Sequence, residues 1–152
     1  MMKLRCSNTA MTVLGGLLLC TTLAPMAQAA EGGPTARPAK ANLYIQGLHH
    51  GEQVTSPLKV GFGLSGMGVA PAGIEAANTG HHHLLIDVDQ LPDLSQPLPA
   101  NDQVKHFGKG QTEVLIELSP GPHTLQLVLG DHLHRPHSQP LMSKPITIVV
   151  VE

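Results

Sequence analysis

From Asn42 to the C-terminus, no stretch of ten residues is both helix-periodic and free of Pro or Gly. Apolar residues there alternate with polar ones at period two, and 12 Gly and 10 Pro interrupt the pattern repeatedly. Strict alternation is the pattern of a half-buried strand, and the breakers mark turns. Six main strands follow, over residues 42–47, 58–64, 82–88, 112–118, 123–129 and 145–151, with a short seventh at 53–55. Ser119-Pro120-Gly121-Pro122 reads as the turn of an antiparallel hairpin between the fourth and fifth of the main strands. Clean inward/outward alternation favours antiparallel sheets with one wet face. The expected fold is all-β, an immunoglobulin-like antiparallel β-sandwich of six to seven strands. Two long loops, 65–80 and 89–111, complete it, and such loops are where binding residues collect.

The N-terminus has the layout of an export signal. Lys3 and Arg5 form a basic start, residues 11–20 form a short apolar stretch, and Ala27-Gln28-Ala29 is a small-residue cleavage site. Residues 1–29 are therefore expected to be a signal peptide, and the mature protein is expected to be periplasmic or secreted. A lipid anchor on Cys20 is the rival, disfavoured because leucine rather than a small residue precedes that cysteine. Residues 30–41 are polar, rich in Gly and Pro and aperiodic, which suggests a flexible leader to one His-rich domain over 42–152. No stretch of the mature chain approaches the ~20 apolar residues of a transmembrane helix.

Both cysteines, Cys6 and Cys20, fall within the expected signal. The mature chain can form no disulfide and offers no thiolate, so a metal site must use His, Asp, Glu, Met or backbone groups. Beyond residue 29 there are 7 Lys or Arg and 11 Asp or Glu, a net charge of −4. With no basic patch and one tyrosine, two phenylalanines and no tryptophan, nucleic-acid binding is not expected.

Against that background the ten histidines stand out, and all lie after residue 48. They fall in three groups, His49-His50, His81-His82-His83 and His132/His134/His137, with His106 and His123 between. Neutral imidazole is the commonest protein ligand for transition metals. Alternation along the third strand places His81 and His83 on one face, with Asp87, and His82 on the Leu84/Ile86 face. His82 is therefore expected to be a core histidine hydrogen-bonded to backbone. His134 and His137 share a loop stiffened by Pro136, and Asp131 could ligate, orient an imidazole or cap the turn. His123, on the Leu125/Leu127 face, reads as a core or hinge residue. Met67 and Met142 read as packing residues rather than soft ligands. No Ser-centred elbow, H-E-x-x-H motif or phosphate-binding Gly loop is present.

Several motifs in order resemble a bacterial exported family known as domain of unknown function 4399. They are the run Gly63–Asp87 containing Gly66-Met67-Gly68-Val69-Ala70-Pro71-Ala72-Gly73, the proline-rich run Pro92–Ala100, and His106-Phe107-Gly108-Lys109-Gly110-Gln111-Thr112-Glu113. Pro120–Leu127 and Gly130–His137 follow, so the resemblance spans roughly residues 42–151. It implies export and an immunoglobulin-like fold, and a pattern that includes His81, His82, His83, His106, His123, Asp131, His134 and His137. It carries no established activity.

The expectation is a metal-binding module in which His81, His83, His106, His134 and His137, with Asp131, converge on one Cu(II) or Zn(II). The main alternative is a non-catalytic adhesion or scaffolding domain of the cell envelope, with an envelope partner and a structural or pH-sensing histidine network. A metalloenzyme is the least favoured of the three, because no glutamate follows the histidine run before Glu113.

Overall fold

The computed structural model describes residues 33–152; the expected signal peptide and the first residues of the leader lie outside them. Ten strands and no helix are present among the described residues: β1 (Asn42–Gln46), β2 (Gln53–Thr55), β3 (Leu58–Ser65), β4 (Gly68–Val69), β5 (Thr79–Ile86), β6 (Val104–Phe107), β7 (Glu113–Ile116), β8 (Gly121–Gly130), β9 (Pro136–Met142) and β10 (Ile146–Val151). The seven expected strands are all there. β4, β6 and β9 arise inside stretches that read as loops. β4 and β6 are too short to show a period, and β9 begins at Pro136 and contains Pro140. Proline is tolerated in β9 because that strand pairs with β8 alone and is an edge.

β1, β3 and β7 form one antiparallel sheet. The other sheet runs β2-β10-β8-β5-β4, with β6 added to β5 and β9 to β8. Two pairings are parallel, β10 with β2 and β4 with β5. The two sheets face each other across a core of Leu43, Val60, Phe62, Leu84, Leu125, Leu127 and Ile148, as a β-sandwich. One expectation is corrected. β7 pairs with β3 and β8 with β5 and β10, so residues 117–120 cross between sheets rather than closing a hairpin. The reason lies in β8, where Val128 is as fully buried as Leu127 and Leu129. A strand buried on both faces belongs in the middle of a sheet.

The opposite face of the larger sheet is also covered. Leu85, Val104 and Val128 pack there with Leu98 from the long loop between β5 and β6, forming a second, smaller core. Residues 33–41 contain no strand but are tied to β9. The Ser138 amide donates to the Thr35 carbonyl at 2.9 Å, and Arg37 Nε donates to the Gln139 carbonyl at 2.6 Å.

Leu127→Ala removes a fully buried side chain from the central strand. It is expected to cost about 2–5 kcal/mol in urea denaturation. Leu115→Ala, at a side chain 65% exposed, is expected to change stability by about 0.5 kcal/mol or less.

Candidate metal centre

β5 carries three consecutive histidines, and its alternation divides them. His82 faces the main core with Leu84 and Ile86; its ring lies 5.1 Å from that of Phe62, and Nδ1 donates to the Gln111 carbonyl at 3.1 Å. His81 and His83 face the other way, in line with Leu85, and continue the second core. Each is fully buried. A protein that buries imidazoles at the centre of a sheet has fixed their positions before any ligand arrives.

Two further histidines meet this pair. β6 pairs antiparallel with β5 so that His106 stands directly opposite His83, and cross-strand partners project on the same face. The turn 131–135, which follows β8, supplies His134. Asp131 Oδ1 accepts the amides of Leu133 and Arg135 at 2.9 and 3.0 Å, and the Asp131 amide donates to the Arg135 carbonyl at 2.8 Å. This locks a tight turn in which His134 holds a left-handed φ of 65°. Ring centroids then lie 4.9 Å apart for His81–His83, 5.0 Å for His81–His106, 5.0 Å for His81–His134, 5.1 Å for His83–His106 and 4.7 Å for His106–His134. His83 and His134 are the widest pair, at 6.3 Å. One ring nitrogen from each of His81, His83 and His106 can be chosen so that all three lie within 4.8 Å of one another.

Burial sets the charge state. It pushes His83 down to about 3 and His81 down to about 4, and neighbouring imidazoles add to both shifts. Burial lowers His106 as well, with His134 contributing. A pKa below the ordinary value keeps each ring neutral near pH 7, with a lone pair for a metal. Neither ring nitrogen of His81 or His83 has a hydrogen-bond partner, and His106 Nε2 has none. Buried polar atoms are normally paired, so unpaired nitrogens gathered in one place point to a ligand that supplies the missing bonds. His81, His83 and His106 could hold a metal ion, and His134 is placed to join them.

The remaining histidines take other places, and Asp131 stands beside the group. His137 falls on β9 and is buried, with Nδ1 2.7 Å from the Thr35 hydroxyl. Its ring makes no contact with the four-ring group. Asp131 is buried, and its charge raises the pKa of His81 against the larger effect of burial. One of its oxygens is committed to the turn, and the other accepts the Thr35 hydroxyl at 3.4 Å. Asp131 thus holds the His134 turn and places a negative charge beside His81. His123 lies at the start of β8, where burial lowers its pKa, but the hydrogen bond to Asp87 at 2.6 Å, the Ser119 carbonyl and the Asp87 charge together outweigh it, so its pKa is raised. His49 pairs with Glu52, and His50 Nδ1 accepts the Thr147 amide. Met67 packs against the main core and Met142 against the second.

Two glycines belong to the site and were not singled out as such from the sequence. A Cβ at Gly108 would overlap the His106 ring, and one at Gly130 would lie 2.8 Å from His83 Cε1. Both residues leave the space the imidazoles occupy. The only signal available was adjacency, Gly108 standing two residues after His106 and Gly130 immediately before Asp131.

The family model described as Domain of unknown function (DUF4399) matches residues 60–151, more than half of the chain, and the chain belongs to this family. The match runs from β3 to the end of β10 and includes all four clustered histidines. No curated protein and no solved structure matches the chain.

The lowered histidine pKa values have a stability consequence. A base whose folded pKa lies below its unfolded value is stabilising above the unfolded value and loses that contribution as pH falls. Folding stability of the chelator-treated protein is therefore expected to be highest above pH ~6.5 and to decline steadily toward pH ~4. His123 acts in the opposite sense but stands alone against His81, His82, His83, His106 and His137, whose pKa values are all lowered. Urea denaturation at pH 7.5, 6.0 and 5.0 checks this.

Proposed function

We propose that this protein is an exported metal-binding module that holds one Cu(II) or Zn(II) on the imidazoles of His81, His83, His106 and His134. The observation that carries the reading is the gathering of buried, neutral, unpartnered ring nitrogens, three of them within 4.8 Å. Four imidazoles match the ligand count of a closed Zn(II) site. All-nitrogen coordination without thiolate also suits Cu(II), which heads the affinity order among divalent first-row ions. His81, His83 and His106 are held neutral, so a bound dication brings a buried charge, and Asp131 supplies a negative charge beside His81. Export rests on the N-terminal pattern of Lys3, Arg5, the apolar stretch and Ala27-Gln28-Ala29, and it would put the site where thiol ligands are scarce.

A purely structural histidine network would pair its imidazoles with each other or with backbone. His82 and His123 fit that description. His81 and His83 do not, because neither nitrogen of either ring has a partner. The metal reading accounts for the second pair and leaves the first to packing.

The test is calorimetric titration of Cu(II) and Zn(II) into untagged, chelator-stripped protein starting at Ala30. One ion per chain with submicromolar affinity is expected. His83→Ala should weaken binding by about 100-fold or more, and Gly108→Ala, which displaces a ligand without removing it, by at least about 10-fold. His49→Ala/His50→Ala should bind as the parent does. Equal affinity in the parent and His83→Ala would contradict the proposal.

A further inference from the structure

Donor type alone leaves the four-histidine site open to Cu(II) and Zn(II), and the placement of the rings separates them. Cu(II) on nitrogen and oxygen donors prefers a square or tetragonal plane, whereas Zn(II) has no electronic preference and is nearly always tetrahedral in closed sites. An imidazole bound at about 2.0–2.1 Å carries its ring centroid about 3.2 Å from the ion. Four such rings in a tetrahedron lie about 5.2 Å apart in every pair. In a plane, neighbouring rings lie about 4.5 Å apart and two opposite pairs about 6.4 Å. Three rings at right angles on one face of an octahedron are likewise about 4.5 Å apart.

The rings of His81, His83 and His106 form a nearly equilateral triangle with sides of 4.9, 5.0 and 5.1 Å. Any three corners of a square include one opposite pair, and this triangle has none. Its sides match the tetrahedral spacing rather than that of right angles. His134 stands 5.0 Å from His81 and 4.7 Å from His106. It is spread to 6.3 Å from His83, the length of one opposite pair. A plane requires a second such pair, and the other two rings, His81 and His106, are only 5.0 Å apart. The four rings therefore enclose a tetrahedron opened along one edge.

We infer that this site is shaped for Zn(II), and that Cu(II) bound there is held out of its preferred plane. The sheet imposes the shape. His81 and His83 stand two residues apart on β5, fully buried, and β5 is paired along both edges. The register of β6 holds His106 opposite His83. Close-packed interiors resist displacement, so flattening the set would require the sheet to deform. Water is not placed to build a larger coordination shell, because both ring nitrogens of His81 and of His83, and Nε2 of His106, are sealed from solvent.

The inference rests on the metal-binding reading proposed above, and Co(II), a coloured substitute for Zn(II), tests the two separately. Chelator-stripped protein should take one Co(II) per chain and show a visible band about tenfold or more stronger than that of aqueous Co(II), the mark of four-coordinate geometry. Zn(II) should then abolish the band. His83→Ala should lose it and His49→Ala/His50→Ala should keep it; His106→Ala, at a partly exposed ring, repeats the control if His83→Ala fails to fold. The Cu(II)-loaded protein should give an electron paramagnetic resonance spectrum with a copper hyperfine splitting clearly smaller than that of planar tetraimidazole copper. Stoichiometric binding that depends on His83 but gives a weak, six-coordinate Co(II) band or a planar Cu(II) spectrum would overturn the inference and leave the metal-binding reading standing. Failure of all three ions to bind stoichiometrically would overturn both.

Discussion

Taking a polar nitrogen out of water without giving it a partner costs about 1–3 kcal/mol, and β5 does this to both nitrogens of His81 and of His83. Much of the structure can be understood from how it carries that load. The two histidines are placed on the strand best able to hold them, hydrogen-bonded to β8 along one edge and to β6 along the other. The sheet is covered on both faces by apolar cores. Ligand groups embedded in this way are positioned before binding, which lowers the ordering cost of capturing an ion. The same burial keeps the rings neutral, so the protein need not expel protons from them near pH 7.

How much of this was legible depended on the range of the interaction. Alternation is local, and it separated His82 from His81 and His83 correctly because a strand's side-chain period is fixed at two. The facing of His106 and His83 was not legible. It depends on the register of β6, a four-residue strand whose buried ends, Val104 and Phe107, show no period. His134 was harder still, because its place depends on Asp131 gathering the amides of Leu133 and Arg135 into one turn. The spacing of His134 and His137 suggested a shared site. Pro136 starts β9 instead, and His137 is held on that strand by Thr35, away from the four-ring group. The crossing between β7 and β8 was missed because Pro and Gly announce a turn but not which sheet the chain enters next.

Asp131 connects the parts that the strands alone do not. Its carboxylate shapes the turn carrying His134, acts on His81 through space, and receives the Thr35 hydroxyl that holds His137. The long connections meet around it. The Gly73 amide donates to the His132 carbonyl at 2.9 Å, and the Leu98 amide donates to the His134 carbonyl at 2.8 Å. A rigid sheet supplies His81, His83 and His106, and this network of loops supplies His134. The segment ahead of β1 belongs to the same arrangement through Thr35 and Arg37.

The most direct measurement is anomalous diffraction from crystals of the Zn(II)-loaded protein. The account predicts one strong peak at the β5–β6 face, with ring nitrogens of His81, His83 and His106 at about 2.0–2.1 Å and His134 completing the set. A peak confined to the surface histidines His49 and His50, with none on that face, would contradict it.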